Sequence, residues 1–132
     1  MKTILVVEDD VKIAAALSIR FEAAGYRTLR APDGFRGLQI AVNDRPDLIV
    51  MDIWMPVGIG FSVAQRLRDL GLTGIPIIFI TASKLKGLKE TADELGGVAF
   101  FEKPYDPREL MEAVGRALKG EKQESACANI NA

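Results

Sequence analysis

The chain predicts an α/β fold: a doubly wound sheet of five parallel strands in the order 2-1-3-4-5, with helices on both faces. Two patterns carry that prediction. Short β-branched runs alternate with stretches of helical spacing five times along 132 residues, and β-α alternation calls for parallel strands joined by right-handed crossovers. The runs also stop at a related set of polar residues: Glu8-Asp9-Asp10, Asp52, Thr81 and Glu102-Lys103. In an open parallel sheet the carboxyl ends of the strands border the ligand crevice, so these side chains are expected to converge.

The elements follow in order. Ile4-Leu5-Val6-Val7 reads as the first strand. Beyond Asp10, the residues Val11, Ala14, Ala15, Leu17, Ser18 and Phe21 fall at helical intervals, and Gly25 ends the helix. Residues 26–30 alternate in polarity and read as a second, edge-like strand. Asp33 is placed to N-cap a helix covering Phe35, Leu38, Ile40 and Ala41, closed before Pro46. Leu48-Ile49-Val50-Met51 is the third strand, and Phe61, Ala64, Leu67 and Leu70 mark a third helix stopped at Gly71. Ile77-Ile78-Phe79-Ile80 precedes a fourth helix anchored by Leu85, Leu88, Ala92 and Leu95 and stopped at Gly96-Gly97. Val98-Ala99-Phe100-Phe101 is the fifth strand. Asp106-Pro107-Arg108-Glu109 then opens the fifth helix with an N-cap, a proline at the first helical position and a capping-box Glu. Residues 1–119 form the expected domain. Residues 120–132 lack periodicity and read as a disordered tail or a truncated linker.

Composition narrows the function. Net charge is −1, so no global field favours nucleic acid or an anionic membrane. No segment approaches the roughly 20 apolar residues that span a bilayer. The first strand begins so early that no signal peptide is expected within this sequence. Cys127 is the single cysteine, which fits a reducing compartment, and a cytoplasmic location is expected. The chain has no histidine, which removes Ser-His and Cys-His catalytic pairs.

In the 2-1-3-4-5 order, Glu8, Asp9 and Asp52 stand at neighbouring strand tips. Like charges so close destabilise one another's ionised form, and a hard divalent cation would offset that cost. Asp10 reads instead as the cap of the first helix. Asp52, exposed on a loop with Met55-Pro56 and glycines, is either a metal ligand only or a nucleophile that attacks a phosphoryl group. Lys103 would add a cation and Thr81 a hydroxyl. Such a transfer needs little beyond in-line positioning and charge neutralisation.

These pieces together resemble the receiver domain of two-component response regulators, a flavodoxin-like family that includes single-domain chemotaxis regulators. The matching segments are I-L-V-V-E-D at 4–9, D-x-x-M-P at 52–56, Thr81-Ala82 and K-P at 103–104. The resemblance implies Asp52 as the phosphorylation site, with Mg²⁺ (or Mn²⁺) held by Glu8, Asp9, Asp52 and the Trp54 backbone carbonyl. It implies that Thr81, Ala82 and Lys103 contact the phosphoryl group, and that Thr81 and Phe100 act as switch residues. The implied donor is a sensor histidine kinase or histidine phosphotransfer protein. The implied output is a changed face of the fourth helix, fifth strand and fifth helix for an unidentified protein target, with phosphorylation-dependent dimerisation compatible with it. Direct nucleic-acid and membrane binding are not expected.

Two departures stand out. Ile59 takes the place of the usual acidic or polar residue before Gly60 and cannot cap, so the third helix is expected to start at Ser62, with Gln65 completing a capping box. Trp54, two residues after Asp52, offers no group to orient water and is expected to slow self-dephosphorylation. Lys84, Lys86 and Lys89 are expected to crowd the first turns of the fourth helix against its macrodipole, making that end the moving part, with Phe100 turning inward. Three alternatives remain: a receiver cut from a longer regulator, an aspartate-nucleophile phosphatase and a nucleotide-binding module. Trp54 disfavours the phosphatase, because that chemistry places an acid/base Asp two residues after the nucleophile. No G-x-G-x-x-G or Walker loop supports the nucleotide-binding module.

Overall fold

The computed structural model describes residues 1–54 and 60–120. The expected Met55-Pro56 pair, the 57–59 loop and the tail from residue 121 lie outside the described residues. The element order is β1 (Thr3–Val7), α1 (Val11–Ala23), β2 (Arg27–Ala31), α2 (Gly34–Asp44), β3 (Leu48–Asp52), α3 (Gly60–Asp69), β4 (Ile77–Thr81), α4 (Leu88–Glu94), β5 (Gly97–Glu102) and α5 (Pro107–Leu118). All pairings are parallel and the sheet order is β2-β1-β3-β4-β5, as the alternation predicts.

Strand side chains alternate between two cores. Ile4, Val6, Val50, Ile78, Ile80, Ala99 and Phe101 pack under α1 and α5, against Leu17, Phe21, Leu110 and Val114. Leu5, Val7, Ile49, Met51, Phe79 and Phe100 face α2, α3 and α4, against Ala41, Val63, Leu67 and Ala92. Both sheet faces are covered, so β3 and β4 are buried at every position, whereas edge strand β2 leaves Arg27 and Arg30 exposed. Truncating a large buried side chain such as Phe21 or Phe79 to alanine would cost about 3–5 kcal/mol.

Helix starts follow the caps read from sequence. Asp10 accepts from the Lys12 and Ile13 amides at 2.9 and 3.2 Å. Asp33 accepts from the Arg36 amide and Asp106 from the Arg108 amide, both at 2.8 Å. Each such cap contributes about 1 kcal/mol. Three expectations fail: Glu109 returns no bond to the Asp106 amide, so α5 has its aspartate cap without the capping box, and the other two concern α3 and α4. Helix α3 includes Gly60 and Phe61 rather than starting at Ser62, and Gln65 reaches forward to Asp69 at 2.9 Å instead of back to a cap. The glycine lets the helix begin closer to the sheet than any residue with a side chain could. Helix α4 is only seven residues long and starts at Leu88, because Gly87 sits in the left-handed region (φ 86°) with no side-chain cap. Lys84, Lys86 and Leu85 therefore precede the helix, and Leu85 is 64 % exposed rather than an anchor. Leu88, Ala92 and Leu95 do pack against the core.

Candidate functional site

Register brings the strand tips together. Val7 pairs with Met51 across β1 and β3, so the next residues, Glu8 and Asp52, end adjacent strands. Asp52 pairs with Ile80, and Thr81 with Glu102, which sets Thr81 and Lys103 beside them. One carboxylate oxygen each from Glu8, Asp9 and Asp52 lie within 4.8 Å of one another. Glu8 and Asp52 are buried and Asp9 is exposed; Asp52 closes β3 inside the sheet rather than standing exposed on a loop as expected, so the basin has two walls inside the protein and one facing solvent.

Lys103 reaches into this basin. Its ammonium donates to Glu8 Oε1 and to Asp52 Oδ2, both at 3.1 Å. The remaining carboxylate oxygens are held by the backbone: Glu8 Oε2 accepts from the Asp10 amide at 3.2 Å, and Asp52 Oδ1 from the Trp54 amide at 3.1 Å. Burial raises the Glu8 pKa from 4.5 to about 7; the Asp10 amide hydrogen bond opposes the shift, the Asp52 charge adds to it and Lys103 opposes it. Burial alone pulls the Lys103 ammonium down, but the hydrogen bond to Asp52 and the charges of Asp52 and Glu8 outweigh it, leaving the pKa above 10.5.

Thr81 is fully buried, and its Oγ1 accepts from the Ser83 amide at 3.0 Å, closing a local turn rather than capping α4. The Lys103 amide donates to the Thr81 carbonyl at 2.7 Å, so the two candidate phosphoryl contacts are tied through backbone. Ala82 is exposed just past the β4 tip. Trp54 is 42 % exposed at the rim of the basin. Phe100 is 2 % exposed and packs with Phe79 in the α2-α3-α4 core, already in the inward position that the sequence reading gave to the phosphorylated state.

Two features were not read from the sequence. Lys84 pairs with Glu102 at 3.2 Å, joining the segment before α4 to β5; no periodicity announces a contact across 18 residues. Gly60 donates its amide to the Ile53 carbonyl at 2.8 Å, and a Cβ at this position would lie 2.7 Å from the Asp52 carbonyl oxygen, a closeness foreshadowed only by a glycine eight residues after the aspartate.

The oxygen-only donor set suits a hard cation such as Mg²⁺, and the neighbouring ammonium suits an anion held beside it. A parallel α/β sheet with an acidic basin, a hydroxyl and a lysine at its carboxyl edge is the arrangement that the receiver-domain resemblance implies. The chain belongs to the response regulator receiver domain family, whose model matches residues 4–115. It is 37 % identical over 125 residues to the DNA-binding dual master transcriptional regulator RpaA of Synechocystis sp., covering 90 % of this chain and 50 % of RpaA. It is 35 % identical over 114 residues to the polar-differentiation response regulator DivK of Brucella anthropi, covering 86 % of this chain and 93 % of DivK. Among solved structures, the receiver domain of Francisella response regulator 1452 superposes with a TM-score of 0.85 at 30 % identity, covering 91 % of this chain and 98 % of that one. The chemotaxis protein CheY4 of Vibrio cholerae superposes at 0.81 and 29 % identity, covering 89 % and 98 %. The chain spans about half the length of RpaA and of the other transcriptional regulators that it matches. Among the described residues, no helix is long and apolar enough to cross a membrane.

Proposed function

We propose that this receiver domain is a phosphoacceptor switch in which Asp52 takes a phosphoryl group from the phosphohistidine of a sensor kinase or phosphotransfer protein. The observation that carries the reading is the convergence of three carboxylates within 4.8 Å beneath a lysine that touches two of them. An Asp52 carboxylate oxygen attacks phosphorus; the O–P bond forms as the N–P bond to the donor imidazole breaks, and the imidazole leaves with its electron pair. Glu8, Asp9, Asp52 and the Trp54 carbonyl would hold Mg²⁺, which would supply charge neutralisation for the phosphoryl oxygens. Lys103 exchanges a carboxylate partner for a phosphoryl oxygen, and Thr81 and Ala82 supply hydroxyl and backbone contacts.

The output runs through the segment between β4 and α4. Drawing Thr81 toward the phosphoryl group disturbs its bond with the Ser83 amide, and the adjoining Lys84–Glu102 pair and uncapped α4 give way more easily than the capped α5. The α4-β5-α5 face then changes its affinity for a protein target, or for a second copy of the chain. Residues 1–119 act as the unit, in the cytoplasm, with stoichiometric labelling rather than turnover of substrate.

A second reading, a receiver belonging to a longer regulator, is favoured by the half-length match to the transcriptional regulators; the near full-length match to DivK favours a stand-alone switch. Intact mass after acetyl phosphate and Mg²⁺ tests the chemistry. One phosphoryl group is expected on the parent and none on Asp52→Ala or in excess EDTA. Full labelling of Asp52→Ala would place the acceptor elsewhere.

A further inference from the structure

We infer that Gly60 is a positioning residue for Asp52: its missing side chain lets the start of α3 bear directly on the phosphoacceptor's backbone and fix where the carboxylate stands. The inference rests on Asp52 being the acceptor. A Cβ built at Gly60 would lie 2.7 Å from the Asp52 carbonyl oxygen, 3.1 Å from Ile53 Cα and 3.2 Å from Met51 Sδ. The nearest two obstacles are backbone, which cannot swing aside as a side chain does. The same glycine donates its amide to the Ile53 carbonyl at 2.8 Å, while the Ile53 amide donates to Ile80 on β4 at 2.9 Å. The chain just past Asp52 is thus clamped by β4 on one side and by α3 on the other. With that backbone fixed, Asp52 Oδ1 meets the Trp54 amide and Oδ2 meets Lys103, each at 3.1 Å. Any residue larger than glycine pushes α3 and the β3 tip apart and turns the carboxylate out of register with Glu8 and Asp9.

Gly97 provides a matched control. A Cβ there would lie 2.8 Å from the Ala92 carbonyl oxygen, an equally tight backbone contact where β5 begins, at the edge of the sheet opposite the acidic basin. Gly60→Ala and Gly97→Ala are therefore both expected to lower the melting temperature. Trp54, the only tryptophan, reports Mg²⁺ binding by fluorescence, and intact mass reports the rate of labelling by acetyl phosphate. At a temperature where circular dichroism shows every variant folded, Gly60→Ala should need several-fold more Mg²⁺ and label roughly tenfold more slowly, as small misplacements of reacting groups do. Gly97→Ala should match the parent in both. If Gly60→Ala also matches the parent in both, Gly60 is only a packing residue and the inference is overturned. If the parent binds Mg²⁺ but is never labelled, the phosphoacceptor reading fails, while the Mg²⁺ midpoints still decide the role of Gly60. Should Gly60→Ala not fold, amide exchange in the parent decides. Mg²⁺ should protect the Gly60 amide more than the Gly37 amide, which donates to Asp33 at 3.0 Å; equal protection overturns the inference.

Discussion

Glu8 is the residue on which the metal-free protein is least comfortable, and replacing it by glutamine should reveal how much. Its carboxyl titrates near 7 in the folded chain against an ordinary 4.5, chiefly because it is buried. The folded state therefore binds more protons than the unfolded state between those values, so stability falls as pH rises from about 4.5 to about 7 and is level above. At 1.36 kcal/mol per pH unit, the ionised carboxylate costs the fold about 3 kcal/mol at pH 8. The amide of Glu8→Gln keeps an oxygen for Lys103 but carries no charge to desolvate. Urea unfolding in EDTA from pH 5 to pH 8.5 should show the parent losing stability and the variant nearly flat. The variant should be the more stable by about 3 kcal/mol at pH 8 and close to the parent at pH 5. With no histidine in the chain, no other side chain has its ordinary pKa between about pH 5 and pH 8, below the Cys127 thiol at about 8.5. The ionised carboxylate is also the form that binds Mg²⁺, so parental Mg²⁺ affinity should climb with pH toward 7 and then level off. A parental slope that persists in Glu8→Gln, or a variant no more stable at pH 8, would refute the burial argument.

Three further outcomes follow from the geometry. Lys103→Gln leaves Glu8 and Asp52 facing each other without the ammonium that bridges them, and should lower the unfolding free energy in EDTA by about 2 kcal/mol, less than a fully buried pair because Lys103 is partly exposed. Mg²⁺ should restore part of that loss by mass action, read as a rise in melting temperature larger than the parent's. Trp54→Asn should shorten the lifetime of the phosphoprotein, followed by mass after the donor is removed, because the 42 % exposed indole screens the acyl phosphate and offers water no hydrogen bond; an equal or longer lifetime would clear Trp54 of that role. Amides of residues 88–94 should exchange faster than those of 108–118, since α4 has seven residues and no side-chain cap whereas α5 has twelve and an aspartate cap; equal rates would remove the structural ground for placing the moving part there.

The sheet was legible because burial on both faces demands continuous apolar strands, and five such segments alternating with helical spacing leave few topologies. The capped helices were legible for a similar reason: Asp10, Asp33 and Asp106 announce themselves by residue type one position before each helix, and each accepts the expected amide. Helix α4 was misread because Leu85 sits at helical spacing from Leu88, while the backbone conformation of Gly87, which forbids the helix from extending back, leaves no mark on hydrophobic periodicity. Helix α3 was misread for a different reason. A serine with a glutamine three residues on looked like a capping box, but the start is set by how closely Gly60 can approach Asp52, a tertiary contact that local pattern does not encode.

The candidate site was legible to the extent that it depends on strand ends, and no further. In a parallel sheet the polar residue that stops each apolar run lands at the same edge, so Glu8, Asp52, Thr81 and Lys103 could be grouped before any distance was known, and register then put Lys103 at 3.1 Å from two of the carboxylates. Periodicity could not say which acid bears the strain. Like-charge reasoning spreads it evenly over Glu8, Asp9 and Asp52, but Asp9 stands in solvent while Glu8 is enclosed, and desolvation outranks the charge of Asp52 in raising the Glu8 pKa. The same enclosure that makes Glu8 costly when ionised is what lets a single lysine hold the metal-free basin together. Lys103 meets Glu8 and Asp52 where water screens little, so exchanging one of those partners for a cation or a phosphoryl oxygen changes local forces far more than the same exchange on an exposed face.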